Sequence, residues 1–404
     1  MADGLIDLGD IDQARTRLQG VAVETPLDRS RALSERIGGE AFVKAENLQR
    51  TGSFKIRGAY NRIARLTAQE LAAGVVCASA GNHAQGVALA AALAGTRATV
   101  FMPAGAPLPK VEATRRYGAE VRLAGGDFNE AYDLAVAHAG SCGATFVHPY
   151  DHPDVIAGQG TIGLEIAEAL PEVGTVVVPV GGGGLISGIA AALAAVAPRA
   201  RVVGVQAAGA ACFPAALAAG APSPLQAMAT IADGIAVKAP GELTFAHCQK
   251  LVDAFVTVTD DQIAEALLFS AERMKFVLEP AGAAGVAAVM QRLGDLVPPV
   301  VVVLSGGNID PLLLLRVIRF GMSAAGRYFA FHTRLADRPG ELHRLLGVIA
   351  EEGANIVGVE HHREGVGVHL DEVEVALQVE TRGPEHIKTL VEHLNEAGYV
   401  VEHL

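Results

Sequence analysis

Residues 51–59 are Thr51-Gly52-Ser53-Phe54-Lys55-Ile56-Arg57-Gly58-Ala59. Lys55 stands among glycines, a serine and two apolar side chains, where a solvated surface lysine has no special reason to lie. The amine of a lysine in such a turn can form a Schiff base with an aldehyde cofactor. The segment alone leaves two interpretations open, an ordinary surface lysine and a reactive amine.

A glycine loop further along the chain favours the reactive amine. Residues 175–180 form an apolar run, and Gly181-Gly182-Gly183-Gly184-Leu185 follows it and leads into a predicted helix. Amide groups at a helix N-terminus, together with the helix dipole, hold a phosphate dianion, whereas the alternative is a flexible loop. An amine and a phosphate site in one chain suggest pyridoxal 5'-phosphate (PLP), a cofactor that needs both.

The spacing around this loop disfavours two other phosphate-binding sites. A nicotinamide-binding loop has the pattern Gly-x-Gly-x-x-Gly, whereas Ile186 and Ser187 occupy the places of the third glycine. A P-loop requires lysine and then serine or threonine after the glycines, and this pair does not follow here. Dinucleotide binding and ATP hydrolysis are therefore not expected.

Two further loops carry polar residues after predicted strands. They are Ser79-Ala80-Gly81-Asn82-His83 and Ser305-Gly306-Gly307-Asn308. One interpretation is that Ser79 and Asn82 simply cap the next helix. The alternative is a loop whose amides receive a substrate carboxylate while Asn82 bonds the cofactor. Ser305 follows a buried parallel strand, and the carboxyl end of such a strand is where a ligand is expected.

Composition and charge exclude several classes of partner. Half of the 404 residues are hydrophobic, but glycines and prolines interrupt both long uncharged stretches, so no membrane-spanning helix is expected. The net charge of −12, with scattered basic residues, argues against nucleic acid. The cysteines lie far apart, so no metal site or disulfide framework is predicted, and the cytoplasm is the predicted location. They are Cys77, Cys142, Cys212 and Cys248.

Most of the chain alternates short β-branched runs with alanine-rich helical runs. Many runs are continuously apolar, which is typical of parallel strands buried on both faces, and the alternation with helices predicts a doubly wound α/β fold. Two lobes are expected within residues 1–322, with a smaller lobe at about residues 41–150 inserted in the larger one. The candidate strands lie at residues 42–45, 75–78, 99–102, 145–148, 175–180, 202–205 and 300–304.

The pattern changes after Met322. Residues 323–326 form a short linker of small residues, and residues 327–404 have the order strand, helix, strand, strand, helix, strand. This βαββαβ order predicts a small ferredoxin-like module. The module is too short to be a second enzyme and carries no obvious catalytic group.

Taken together, these motifs resemble those of fold type II PLP-dependent enzymes of the threonine ammonia-lyase (threonine dehydratase) group. Supporting similarities lie at residues 157–161, 230–234 and 279–282. The resemblance covers the predicted catalytic region and implies a two-lobed fold like that of the tryptophan synthase β subunit. The tail resembles an ACT regulatory domain, with Asp337-Arg338-Pro339-Gly340-Glu341-Leu342 as its motif.

The resemblance also implies roles for individual residues. Lys55 would hold PLP and later remove the Cα proton of the substrate, and Phe54 would pack beside the pyridine ring. Asn82 would bond the phenolic oxygen, and Ser305 the pyridine nitrogen. The phosphate would be bound by Gly181, Gly182, Gly183, Gly184 and Leu185. The substrate would be bound by Ser79, Ala80, Gly81, Asn82 and His83.

The implied reaction is an α,β-elimination that converts L-threonine to 2-oxobutanoate and ammonia. The Ser305 hydroxyl does not enforce protonation of the pyridine nitrogen as a carboxylate would, so elimination of a β-hydroxyl suits the site better than transamination. L-serine and threo-3-hydroxyaspartate are alternative substrates, and a non-catalytic amino-acid-binding regulator is an alternative function. Serine racemase is disfavoured because Ala80 stands where the racemase has a second acid/base serine.

Two further features of serine racemase do not match this sequence. Its divalent metal site would need carboxylates near Gln206, Ala210 and Cys212, and none of the three is acidic. Tyr150 replaces an asparagine that contacts the cofactor in the racemase. No bound metal is therefore expected near Gln206, Ala210 and Cys212, and the cofactor contact of the racemase asparagine is not carried over to Tyr150.

For the tail, the resemblance implies an amino-acid effector and pairing between copies of the chain. Feedback control by isoleucine is the hypothesis, and a homo-oligomer, either a dimer or a tetramer, is expected. A purely structural or dimerising module is the alternative. The effector would lie near the loop after the first strand of the module. The candidate effector-binding residues are Asp337, Gly340, Glu341, Leu342 and Asn355.

Overall fold

A computed structural model describes residues 4–363 and 371–403 of the chain. The helices are α1 (Leu8–Leu18), α2 (Arg31–Ile37), α3 (Lys55–Ile63), α4 (Ala68–Ala73), α5 (Asn82–Ala94), α6 (Leu108–Arg116), α7 (Phe128–Cys142), α8 (Pro153–Ala169), α9 (Gly184–Val196), α10 (Cys212–Ala219), α11 (Glu242–Leu251), α12 (Asp260–Phe269), α13 (Pro280–Met290), α14 (Pro311–Ala324), α15 (Glu341–Glu351) and α16 (Pro384–Glu396). The strands are β1 (Leu27–Arg29), β2 (Ala41–Lys44), β3 (Val75–Ala78), β4 (Ala98–Met102), β5 (Glu120–Leu123), β6 (Thr145–Phe146), β7 (Thr175–Pro179), β8 (Arg201–Ala207), β9 (Ala254–Val258), β10 (Val300–Val303), β11 (Tyr328–Ala336), β12 (Asn355–His362), β13 (Glu372–Glu380) and β14 (Glu402–His403). Within the described residues, none of the helices has the length and hydrophobicity needed to cross a bilayer.

The chain forms two compact units, the first ending at Asp310 and the second beginning at Pro311. The first unit contains two sheets. The larger sheet has the order β1-β2-β10-β7-β8-β9, and within it only the β1–β2 pair is antiparallel. The smaller sheet has the order β5-β4-β3-β6 and is parallel throughout. The predicted α/β fold with two sheets is confirmed.

Every strand predicted from an apolar run is present, but the sequence pattern misses β1, β5 and β9. Each of these three lies at an edge of its sheet and leaves part of its side chains exposed. β1 and β5 contain charged residues, so they lack the continuous apolar run that marks burial on both faces. β9 is apolar at four of its five residues, so its sequence does not account for the miss in the same way.

The lobes and the linker differ in extent from the expectation. β2 pairs with β1 and β10 in the larger sheet and does not open the smaller lobe, so the smaller sheet extends from Val75 to Phe146. α14 opens the second unit, and its last residues, Ser323 and Ala324, belong to the predicted linker at 323–326. Within the predicted linker, Ser323, Ala324 and Ala325 come before its one glycine, Gly326, so its first residues can continue the helix.

The second unit contains α14 and a module with the predicted order of strands and helices. Its antiparallel sheet has the order β12-β13-β11-β14. Alternate residues of β11 and β13 face a core with the apolar sides of α15 and α16. The predicted ferredoxin-like βαββαβ order is confirmed.

Two helices of the first unit, α3 and α8, approach each other at glycines. A Cβ atom on Gly158 would lie 2.6 Å from the carbonyl oxygen of Arg57. One on Gly58 would lie 2.7 Å from the carbonyl oxygen of Val155. These distances leave no room for a methyl group, so the two backbones are in direct contact. Because α3 begins at Lys55, this contact helps to place the lysine.

Four charged side chains, three of them fully buried, fix the same helix. Arg57 donates to both oxygens of Glu46, at 2.8 and 2.9 Å, and to Glu165 at 2.9 Å. Lys44 forms an ion pair with Glu165 at 2.6 Å. Two cations and two carboxylates balance one another, with the Glu165 side chain 14% exposed and the other three buried. This charged group joins α3 to the end of β2 and to α8.

Replacing Arg57 with methionine is expected to destabilise the protein by about 3–5 kcal/mol, because two carboxylates lose a partner in a buried setting. The thermal unfolding temperature of the purified protein measures the effect. Arg31→Met is the matched control, since the Arg31 side chain is 84% exposed and its pair with Glu35 is worth at most about 1 kcal/mol. Equal unfolding temperatures for the two variants would contradict the expectation.

Candidate active site

Three of the four motifs meet at one edge of the larger sheet. The loop with Lys55 comes after β2, the glycine loop at 181–184 comes after β7, and Ser305 comes after β10. These strands are adjacent and parallel in the order β2-β10-β7, so their carboxyl ends lie side by side. In open α/β sheets, ligands bind at this edge. The fourth motif, residues 79–83, comes after β3 of the smaller sheet.

Two backbone hydrogen bonds join the first motif to the last. The N–H of Phe54 donates to the carbonyl of Ser305 at 3.3 Å. The N–H of Gly307 donates to the carbonyl of Gly52 at 2.9 Å. The segment that leads into Lys55 is thereby held against the end of β10. Two predicted cofactor residues, Phe54 and Ser305, are thus in direct contact.

The Lys55 side chain is partly buried, and its amine donates to the carbonyl of Pro149 at 2.9 Å. The nitrogen also lies 5.1 Å from the centre of the Phe54 ring. Burial lowers the pKa of Lys55 from 10.5 to about 8, while the nearby Glu279 carboxyl group opposes this change. A substantial fraction of the amine is therefore neutral in mildly alkaline solution, as a nucleophile or a proton acceptor must be.

The glycine loop has the geometry of an anion site. It connects β7 to the N-terminus of α9, where the first N–H groups have no partner within the helix. Gly183 has a φ of +94°, which favours glycine. A Cβ atom on Gly182 would lie 2.5 Å from the Tyr150 ring, and the Thr244 hydroxyl donates to the Gly182 carbonyl at 2.7 Å. The loop therefore offers backbone amides to a phosphate, and neighbouring side chains hold its shape.

Asn82 is the first residue of α5, and its side chain belongs to a set of hydrogen bonds that the sequence does not reveal. The amide nitrogen donates to Glu279 at 2.6 Å, and the amide oxygen accepts from Asn308 at 2.7 Å. Burial raises the pKa of Glu279 from 4.5 to about 7, and the nearby Asp233 carboxylate adds to the shift. Glu279 directly precedes α13, so from sequence it resembles a helix cap without further function.

The residues of the predicted substrate loop, 79–83, lie in two different environments. The Ser79 hydroxyl accepts from the N–H of Gly81 at 3.1 Å, and Ala80 packs against the core of the smaller lobe. His83 is buried, with a ring nitrogen 2.9 Å from the carbonyl oxygen of Val147. Burial lowers the pKa of His83 to about 3, so the imidazole is neutral. The His83 ring is therefore engaged by the protein backbone itself.

Tyr150 is a further residue beside the glycine loop. Its hydroxyl donates to the carbonyl of Ala239 at 3.4 Å. The Nδ1 atom of His148 accepts from the N–H groups of Tyr150, at 3.3 Å, and of Asp151, at 2.7 Å. Burial lowers the pKa of His148 to about 4 and raises that of Tyr150. Both side chains are neutral at pH 7 and shape the wall of the site.

The second unit contains a cavity of about 360 Å³. It is lined by Leu335, Ala336, Asp337, Arg338, Pro339, Gly340, Glu341, Leu342, His361, Arg363 and Val373. Four of the five candidate effector residues lie in this lining. Asn355, the fifth, instead donates to Glu380 at 3.4 Å. Asp337 and Arg363 form an ion pair at 3.3 Å, and the lining as a whole carries charges of both signs.

Comparison with known proteins identifies the family. Residues 18–306 match the family described as pyridoxal-phosphate dependent enzyme, and residues 333–398 match the ACT domain. The chain belongs to the family of pyridoxal-phosphate dependent enzymes. PLP is therefore the cofactor of its catalytic region, and an ACT domain follows that region, as the motifs predict.

Individual relatives are similar over most of the chain. An L-threonine ammonia-lyase of Thermotoga maritima is 49% identical, over 98% of this chain and 99% of the relative. One of Geobacter sulfurreducens is 47% identical, over 97% and 98%. The solved structure of the processed form of threonine deaminase isoform 2 from Solanum lycopersicum matches with a TM-score of 0.73 and 38% identity, over 78% of this chain and 94% of that chain. The expected type of catalytic fold is thereby confirmed.

The groups at the sheet edge fit PLP. Lys55 supplies an amine for the aldehyde, and residues 181–185 supply amides at a helix N-terminus for the phosphate. Tyr150 packs so closely against Gly182 and Gly184 that neither position has room for a side chain. Asn82 supplies an amide, and Ser305 supplies a hydroxyl at the end of β10. Each chemical feature of the cofactor has a matching group.

In the PLP-free protein, the reaction of Lys55 with added PLP is expected to be half-maximal near pH 8. Below this pH the amine is mostly protonated and cannot attack the aldehyde, and above it the amine is mostly neutral. Reductive trapping with borohydride between about pH 6 and pH 11, followed by mass spectrometry, measures the modified fraction. Lys55→Ala gives the background from other amines, and a midpoint near 10.4, the ordinary lysine value, would contradict the expectation.

Proposed function

We propose that the protein is a threonine ammonia-lyase, which converts L-threonine to 2-oxobutanoate and ammonia. The observation that supports this proposal most is the similarity to two L-threonine ammonia-lyases, because it extends over the catalytic region and the tail together. The neutral hydroxyl of Ser305 is also consistent with elimination, since no carboxylate stands at that position to enforce protonation of the pyridine nitrogen.

The proposed roles follow from where each group lies. Bound PLP supplies the electron sink that makes the Cα proton of an amino acid acidic. The Lys55 amine would accept that proton, and its lowered pKa suits exchange near neutral pH. The backbone amides at residues 79–81 would receive the substrate carboxylate. Asn82 would donate to the phenolic oxygen, and Ser305 would face the pyridine nitrogen.

Other substrates and one other reaction are the alternatives that the test must separate. L-serine and threo-3-hydroxyaspartate carry the same β-hydroxyl group, so both can in principle undergo the same elimination. Racemisation requires a second acid on the opposite face of the substrate. Ala80 stands at that position, and its methyl group packs against the core of the smaller lobe, so it can supply no proton.

With PLP added, the purified protein is expected to form 2-oxobutanoate from L-threonine faster than it forms an oxo acid from L-serine or threo-3-hydroxyaspartate. Lys55→Ala is expected to lower turnover by at least about 10³-fold and to remove the visible absorbance of bound PLP, because no amine remains to hold the aldehyde or accept the proton. Lys388→Ala, at an exposed site on α16, is the control. Turnover that survived Lys55→Ala would refute the assignment.

We also propose that residues 327–404 form a regulatory domain whose cavity binds an amino-acid effector, with isoleucine as the first candidate. An amino acid carries an ammonium and a carboxylate, which would pair with Asp337 and Arg363 in place of their mutual ion pair. Leu342 and Val373 line the same cavity and offer apolar contact to a side chain. The proposal is supported by the match of this region to the ACT domain.

Asp337→Asn is expected to raise the isoleucine concentration for half-maximal response by about tenfold, because the ammonium of the effector loses a charged partner. The measurement is the rate of 2-oxobutanoate formation as isoleucine is added to the full-length protein. Glu351→Gln, at the exposed end of α15, is the matched control. If both variants responded to isoleucine as the parent does, the cavity would not be the effector site.

Assembly and location are proposals as well. We propose that the protein works in the cytoplasm as a homo-oligomer, either a dimer or a tetramer. The four cysteines are free and three of them are buried, which suits a reducing compartment. The net charge of −12 disfavours nucleic acid as a partner.

A further inference from the structure

A continuous chain of hydrogen bonds surrounds Asn82 within the first unit. The amide nitrogen of Asn308 donates to the backbone carbonyl of Thr51 at 2.6 Å and to the amide oxygen of Asn82 at 2.7 Å. The amide nitrogen of Asn82 donates to the carboxyl group of Glu279 at 2.6 Å. The chain therefore begins at a backbone carbonyl and ends at a side chain that is only 6% exposed.

The direction of this chain is set by its first member. A backbone carbonyl can only accept, so Asn308 must turn its nitrogen, and not its oxygen, toward Thr51. The same nitrogen faces the oxygen of Asn82, which leaves the nitrogen of Asn82 directed at Glu279. An amide nitrogen carries two hydrogens, and Glu279 accepts one of them. The second N–H of Asn82 is left as a donor.

Two motif glycines make room for these side chains. A Cβ atom on Gly52 would lie 2.4 Å from the amide oxygen of Asn308. One on Gly306 would lie 2.1 Å from Oε1 of Glu279. The N–H of Glu279 also donates to the carbonyl of Gly306 at 3.1 Å, so the carboxyl group is anchored beside the gap. The glycines at these two positions therefore have a physical reason, because a side chain at either one would disrupt the chain of hydrogen bonds.

We infer that Asn308 and Glu279 are positioning residues that lock the side-chain amide of Asn82, so that it presents an N–H group and not a carbonyl to the phenolic oxygen of PLP. The inference rests on the proposed cofactor contact of Asn82 and adds the residues that give this contact its direction. A phenolate oxygen is an acceptor. A reversed amide would set its oxygen against the Glu279 carboxylate and its nitrogen against the nitrogen of Asn308, so both hydrogen bonds would be lost.

Exchanging donor and acceptor at the two ends of the chain tests the inference. Asn308→Asp replaces a donating amide with a carboxylate of the same shape, and Glu279→Gln replaces an accepting carboxyl group with an amide. The double variant keeps the net charge and favours the reversed orientation of Asn82. Glu172→Gln, at an exposed site between α8 and β7, is the matched control.

Three quantities are measured for each full-length protein. They are the dissociation constant for PLP, the visible absorbance maximum of bound PLP, and the thermal unfolding temperature of the PLP-free form. The double variant is expected to bind PLP about tenfold more weakly than the control, and its absorbance maximum is expected to shift, because one hydrogen bond to the cofactor is lost. Its unfolding temperature is expected to fall below that of the control, because a carboxylate at position 308 meets the Thr51 carbonyl with no hydrogen atom between the two oxygens. Affinity and absorbance are therefore compared at a temperature at which both proteins are folded.

Each result supports or overturns the inference. Asn308→Asp alone is expected to shift affinity and absorbance in the same direction, which keeps the test decisive if the double variant folds poorly. A double variant with PLP affinity within about twofold of the control and an unchanged absorbance maximum would overturn the inference. That outcome leaves the proposed function intact. A parent protein that bound no PLP would refute the proposed function itself, together with the inference that rests on it.

Discussion

The buried pairing of Arg57 with Glu46 and Glu165 is the constraint on which the catalytic region depends. Charges removed from water are stable only when they are paired, so the positions of these side chains fix one another. No side-chain cap holds the start of α3, and the segment depends instead on this pairing and on direct backbone contact with α8. Lys55 is the first residue of α3, so the place of its amine follows from interactions two residues further along the helix.

Parallel alignment of the strands then brings distant parts of the sequence to one edge. β2, β10 and β7 are neighbours in the sheet although they are far apart in the chain, and the loops after them carry the amine, the hydroxyl and the glycine amides. The loop at residues 79–83 comes from the smaller sheet. Because this loop carries Asn82, the bonds from Asn82 to Asn308 and Glu279 connect the parts of the site that the two sheets contribute.

The parts of the fold that the sequence predicts are those with two-sided burial. Strands such as β7 and β10 are almost entirely apolar. In the tail, apolar and polar residues alternate along β13 with the period of a strand, so the sequence predicts the strands of both regions. The edge strands β1 and β5 contain charged residues and carry no such pattern. In the site, Lys55 and the glycine loop are evident because their residue types are unusual at those places. Glu279 and Asn308 look like an ordinary helix cap and turn residue, and only the folded chain brings them to Asn82.

Burial shifts the pKa of Lys55 and the pKa of Glu279 in opposite directions, and the hydrogen bonds that orient Asn82 do not depend on either charge. The pKa of the lysine is lowered and that of the glutamate is raised, so both groups can change charge near neutral pH. A carboxyl group that gains a proton still has an oxygen that accepts a hydrogen bond, so Glu279 can receive the N–H of Asn82 in either state. At the other end, the orientation of Asn308 is set by the Thr51 carbonyl, which does not titrate. The direction of the Asn82 amide is therefore independent of the protonation state of Lys55.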